Sequence, residues 1–115
     1  GAAGETGCGN IVNAPLPAGA GATEFRAAWS ERILPALAAF APQFVLISAG
    51  FDAHAADPLA GINLDEEDYR WITAEIAAIA RSHAEGRIVS TLEGGYDLEA
   101  LAASAGAHVA ALIAA

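Results

Sequence analysis

Two short apolar runs of the same design, separated by one helical stretch, constrain this chain more than anything else in it. Phe44-Val45-Leu46-Ile47-Ser48 leads into Ala49-Gly50-Phe51-Asp52-Ala53-His54, and Arg87-Ile88-Val89-Ser90-Thr91-Leu92 leads into Glu93-Gly94-Gly95-Tyr96. Each run stops at glycine and a polar side chain. The order strand, helix, strand predicts a βαβ unit, in which the two strands are parallel. Parallel neighbours end on the same edge of a sheet. Asp52 and Tyr96 are therefore expected side by side, on the edge where ligands bind in open α/β sheets.

With 115 residues the chain is one domain at most, or part of one, and 55% hydrophobic residues are ample for a core. The net charge of -9 argues against nucleic acid and against anionic membrane surfaces as partners. There is no lysine, and all five cationic residues are Arg. Alanine, glycine and arginine in these proportions suit a high-GC bacterial gene. A single cysteine, Cys8, excludes an internal disulfide and suits a reduced, cytoplasmic setting. No stretch reaches the roughly 20 apolar residues of a membrane span, and no leader pattern is visible at the start.

Gly1 to Asn10 reads as a Gly-rich irregular segment, and Ile11-Val12-Asn13-Ala14 as a short strand or extended piece. Thr23 is expected to cap a helix through Phe25, Trp29, Ile33, Leu37 and Phe40, with Pro35 kinking or breaking it. The first clear strand is apolar at nearly every position, as for strands covered by helices on both faces. Leu64 to Asp68 opens the next helix, with Tyr69, Ile72, Ile76 and Ile79 on its buried face and Gly86 as its expected C-cap. Asp97 is expected to cap a final Ala-rich helix with Leu98, Leu101, Val109 and Leu112 in the core. Two interior strands with so little else around them would leave long apolar edges unpaired.

Taken by position, Asp52 reads as a metal ligand or acid/base group, or as a loop aspartate bonded to backbone. Tyr96 reads as a hydrogen-bond donor to a developing oxyanion, or as a core tyrosine at a turn. Gly94 and Gly95 before it permit close backbone approach. Glu93 is expected to bond backbone or a neighbouring loop. Asp57-Pro58 is read as a turn device, His54 as a metal-site partner of Asp52 or, preferred, a supporting or surface histidine, and His83 and His108 as structural. The acids Asp65 to Asp68 read as a solvated helix start. They lack the alternate spacing of a calcium loop, and Gly4 to Gly9 lacks the Lys-Ser/Thr pair of a phosphate loop.

The string Ser48-Ala49-Gly50-Phe51-Asp52-Ala53-His54, followed by Asp57-Pro58-Leu59, resembles the zinc-dependent histone deacetylase superfamily. Leu92-Glu93-Gly94-Gly95-Tyr96 resembles its later signature, and Asn10 to Pro17 and Ala107-His108-Val109 also fit. The likeness is greatest to the class II-like branch, with its bacterial histone deacetylase-like amidohydrolases and acetylpolyamine amidohydrolases. It implies an α/β fold of arginase/deacetylase type, a three-layer parallel sheet with central strands 44–49 and 87–92 flanked by helices. It implies that Asp52 is the last of three protein ligands to a catalytic zinc. Tyr96 would then hydrogen-bond the scissile carbonyl and the tetrahedral oxyanion, and Gly94 and Gly95 would line the acyl-lysine tunnel.

The family also uses a further Asp-x-His pair and adjacent histidines. Asp52-Ala53-His54 is not that pair, because its Asp already matches the last ligand, and the sequence contains no other Asp-x-His and no adjacent histidines. Residues 1–115 are accordingly expected to be the C-terminal portion of a single deacetylase-type domain, inactive alone. The expected substrate is an acylated amine, and the expected partner a second copy or the N-terminal segment of the same domain. A non-catalytic α/β module that associates through its sheet edges is the competing reading. Arginases share the fold type and use two manganese ions, but lack the Gly-Gly-Tyr element.

Overall fold

The computed structural model describes residues 1–115. It opens with irregular turns, and Ile11 to Ala14, expected as a short strand, forms none. That segment is tied down by a side chain, the Asn13 amide donating to the carbonyls of Ala2 (3.0 Å) and Glu5 (3.5 Å), and not by a backbone ladder.

The first helical stretch contains α1 (Ala22–Ala28), a π-helical turn (Trp29–Ile33) and α2 (Leu34–Phe40). Its N-cap is Gly21, not Thr23. Glu24 stands three residues beyond Gly21, so its carboxylate reaches back and accepts the Gly21 N–H at 2.9 Å. That bond holds the Glu24 carboxyl below its ordinary value. Pro35 explains the π turn. A proline has no N–H to donate and its ring crowds the carbonyl four residues earlier. The Leu34 N–H just before it bonds to the Trp29 carbonyl, five residues back, and the wider turn carries the chain past the proline without a break.

Ala41, in the left-handed conformation at φ 52°, ends α2, and β1 (Val45–Ala49) follows. Next comes α3 (Glu66–His83), capped by Asp65, which accepts from the amides of Glu67 (2.9 Å) and Asp68 (3.2 Å). Its C-cap is Ala84 and not Gly86, because the chain leaves the helix through Glu85 and Gly86, both at positive φ, with the Gly86 N–H bonded to the Ala80 carbonyl at 3.0 Å. Then come β2 (Ile88–Leu92) and α4 (Leu98–Ile113), the latter capped by Asp97 as expected.

β1 and β2 pair in parallel from Val45↔Ile88 to Ala49↔Leu92 and form the whole sheet, with both outer edges unpaired. One core cluster joins Val45 to Ile72, Ile76 and Ala80 of α3 and to Ala84, with Phe25, Trp29 and Leu34 packed against it. A second joins Ala49, Phe51, Leu64 and Tyr69. Both lie on the sheet face of Val45, Ile47 and Ala49. The opposite face is bare: Leu46 is 66% exposed and its neighbour Val89 49%. The apolar run thus describes a strand made for cover on two faces, of which these residues supply one.

α4 corrects the sequence expectation. Leu98 and Val109 are exposed, and the buried face is Ala100, Ser104, Ala107, His108 and Ala111. Small side chains let α4 lie close against α3, and the large residues turn outward. The acids at the start of α3 are not all solvated either. Asp68 is 2% exposed and accepts from Nε and Nη2 of Arg26, both at 2.9 Å, which ties α3 to α1.

Candidate functional site at the strand ends

The ladder does not stop at the named strands. The Glu93 N–H donates to the Ala49 carbonyl, and the Phe51 N–H to the Gly94 carbonyl, both at 2.9 Å. The two chains thus stay in register past the sheet and reach its C-terminal edge together. Phe51 is buried, with its ring edge-on to Tyr69 (centroids 5.1 Å apart) and His108 (5.7 Å). A residue so anchored fixes the direction of the next one, Asp52.

The Asp52 carboxylate lies directly over Gly94. A Cβ at Gly94 would fall 2.6 Å from Oδ1, 2.7 Å from Cγ and 2.9 Å from Oδ2, and one at Gly50 would fall 2.9 Å from Oδ1. These two glycines are the seat of the carboxylate, and any side chain at position 94 would take its space. Tyr69 stands behind it. Its buried hydroxyl has no hydrogen-bond partner, and burial, reinforced by the negative charge of Asp52, pushes its ionisation well above the ordinary phenol range.

Gly95 has φ 136°, a conformation side chains rarely adopt, and a Cβ there would meet Leu101 Cδ1 at 2.9 Å. Tyr96 follows and is 56% exposed. The structure therefore brings Asp52, Gly50 and Gly94 into direct contact. It sets Tyr96 two residues further along, with its phenol turned to solvent. Glu93, also exposed, makes no side-chain hydrogen bond, against expectation; its contribution is the backbone N–H in the ladder.

Three side chains do more than the sequence suggested. Asp57 forms the expected turn, its Oδ1 accepting from Leu59 N–H at 2.9 Å, but its Oδ2 also accepts from Tyr96 N–H at 2.8 Å. Burial raises the Asp57 carboxyl, but amides of Leu59, Tyr96, Asp97 and Ala60 outweigh that and hold it below the ordinary range. His54 pins the same loop, accepting the Ala56 N–H on Nδ1 (3.0 Å) and meeting Glu66 through Nε2 (3.2 Å). His108 is buried between Thr73 Oγ1 (2.7 Å, to Nδ1) and Ser90 Oγ (2.9 Å, to Nε2), and burial lowers its ionisation. The links of Asp57 to Tyr96, of His54 to Glu66 and of His108 to Thr73 and Ser90 are not visible in the spacing of a single chain, because those partners lie 12 or more residues away.

No three His, Cys, Asp or Glu side chains come together in a group that could hold a metal ion. Asp52 offers one carboxylate in a glycine-lined seat, whereas a catalytic zinc takes three protein ligands. The residues present do not make up such a centre on their own. An apolar cavity of about 410 Å³ runs along β1, lined by Trp29, Leu37, Ile47 and Ile72 among others; neither Asp52 nor Tyr96 borders it. No helix is long and apolar enough to cross a membrane.

Architecture and strand-end geometry define an α/β chain of the deacetylase type, and comparisons with known proteins agree. The crystal structure of the HDA15 HD domain matches with a TM-score of 0.82 and 36% identity, over 90% of this chain and 28% of that one. Type-2 histone deacetylase 2 of Dictyostelium discoideum is 44% identical over 108 residues, 91% of this chain and 6% of the relative. The histone deacetylase-like amidohydrolase of Pseudomonas aeruginosa is 41% identical over 92 residues, 80% of this chain and 24% of the relative. The histone deacetylase domain matches residues 1–112, and the chain belongs to that family. It spans at most 28% of the length of each of these three proteins.

Proposed function

We propose that these residues are the C-terminal part of a zinc-dependent deacetylase that hydrolyses N-acyl amides of the acetyl-lysine or acetylpolyamine type. The observation that carries this reading is the Asp52 carboxylate seated on Gly94, two residues before Tyr96, in a chain of the histone deacetylase family. Asp52 is one carboxylate ligand of a zinc ion whose other protein ligands are not among these residues. Zinc supplies Lewis acidity to such hydrolyses. This chain contributes a phenol, Tyr96, to donate a hydrogen bond to the carbonyl oxygen as negative charge builds on it. Gly94 and Gly95 would line the acyl-chain passage with backbone, the space of their missing side chains being taken by Asp52 and Leu101.

Deacetylation of an acetyl-lysine peptide and of an acetylpolyamine, by the purified chain with zinc and by the whole domain, tests this. The whole domain turns over and the 115 residues alone do not; robust turnover by the chain alone would overturn the claim that its site is partial. In the whole domain, Tyr96→Phe lowers kcat by about 10²–10³-fold, the scale of one lost oxyanion donor. Near-normal turnover would remove Tyr96 from the reaction.

A second reading has one observation in its favour. The bare face of Leu46 and Val89 and the two open sheet edges suit a non-catalytic module that pairs with a second copy or with an N-terminal half.

A further inference from the structure

We infer that Asp57 is a positioning residue for Tyr96, a carboxylate strap that fixes the tyrosine relative to Asp52. The inference rests on the deacetylase reading for its catalytic meaning and on geometry for its substance. Tyr96 needs such a restraint. It follows two glycines, the second at φ 136°, and its side chain is more than half exposed. Paired glycines give the backbone wide conformational freedom, and a phenol on a free backbone cannot hold a donor within the few tenths of an ångström that oxyanion stabilisation requires.

The strap removes that freedom at the backbone. Asp57 Oδ2 accepts the Tyr96 N–H at 2.8 Å, a short charge-assisted bond. Its other oxygen is engaged by Leu59 N–H at 2.9 Å, so the carboxylate cannot swing away without losing both bonds. The base of the strap is itself fixed. Asp57 N–H donates to His54 carbonyl (2.9 Å), Ala55 N–H to Leu64 carbonyl (2.9 Å), and Leu64 N–H to Ala53 carbonyl (3.0 Å). Leu64 is 1% exposed, and Glu66 of α3 meets His54. Asp52 and Asp57 thus belong to one loop held to the start of α3. The loop that carries the carboxylate on Gly94 also reaches across to hold the tyrosine. Immediately after, Asp97 caps α4 by accepting from Ala100 N–H at 2.9 Å, fixing the far side of Tyr96.

Two measurements test this. Amide hydrogen exchange on the 115-residue chain reads the strap directly: Asp57→Ala releases protection at Tyr96 while Phe51 and Glu93, held by the ladder, keep theirs. Asp57→Asn, which retains an acceptor oxygen and the size of the side chain, gives a partial release. In the whole deacetylase domain Asp57→Ala lowers kcat by about 10- to 100-fold with KM little changed, the usual scale for a supporting partner. In a Tyr96→Phe background the same change has less than about a twofold effect, because the strap acts only through the phenol. Unchanged exchange at Tyr96, or losses that add independently in the double variant, would overturn the inference. Absence of deacetylation by the unmodified domain would instead overturn the proposed function and with it the catalytic meaning of the strap, and the exchange result separates the two failures.

Discussion

At the scale of single residues, Gly94 is an exacting position because of what lies against it. Its φ lies outside the left-handed region, so alanine is permitted by the backbone, and the cost of a methyl group comes from the Asp52 carboxylate alone. Gly94→Ala is expected to destabilise by about 1–3 kcal/mol, the usual penalty for overfilling a packed site. Gly106, in the interior of α4 with nothing within 4 Å of its would-be Cβ, is the control. There the same methyl group stabilises by up to about 1 kcal/mol through helix propensity. Thermal unfolding of both variants reads the opposite signs, and a Gly94→Ala variant as stable as the parent would show that the seat is not tight.

At the scale of elements, His108 joins three of them: α4, which carries it, α3 through Thr73 and β2 through Ser90. The Thr73 hydroxyl also donates to the Tyr69 carbonyl at 2.6 Å. We therefore assign the imidazole proton to Nδ1, with Nε2 accepting from Ser90. Burial lowers the His108 ionisation from its ordinary 6.5, so the unfolded chain binds the proton more readily than the folded one. The stability from this site is fully present above pH 6.5 and is lost as pH falls from there through the lowered folded value. Thermal melts across that range should show Tm falling with acidity in the parent and a smaller slope in His108→Phe. Equal slopes would remove His108 as the source.

The elements also show what a sequence can and cannot convey. The pairing of Val45–Ala49 with Ile88–Leu92, the helix between them and the cap at Asp97 were legible because each follows from local pattern: apolar runs, turn residues and a polar cap before a periodic stretch. The motifs at Asp52 and Tyr96 were legible for the same reason. The outward turn of Leu98 and Val109 was not, because the choice of which face of an Ala-rich helix to bury is made by its neighbours. Nor was the burial of Asp68, whose partner Arg26 stands 42 residues earlier. Asp57 was read for its turn alone, since a side chain with two oxygens gives no sign in sequence of where the second one points.

At the scale of the whole molecule, the helices collect on one side of a two-stranded sheet and leave Leu46 and Val89 uncovered on the other. Exposed apolar surface beside unpaired strand edges favours association. The isolated chain is expected to form dimers or larger species, and Leu46→Lys with Val89→Lys to shift it toward monomer without lowering Tm, because both side chains are already largely in water. Size-exclusion chromatography with light scattering checks this, and a strictly monomeric parent chain would count against it.

The seat beneath Asp52 also has a history in time. The carboxylate of Asp52 comes first and the glycine that receives it 42 residues later, across the helix of a parallel crossover. Parallel pairing of this kind must close a long loop before it gains any contact, which makes it a slow step in folding. A chain still emerging from the ribosome, with β1 and α3 complete, would carry Asp52 with nothing under it. The seating of that aspartate on Gly94 is thus among the last features to form, and it arrives together with Tyr96 on the same strand end.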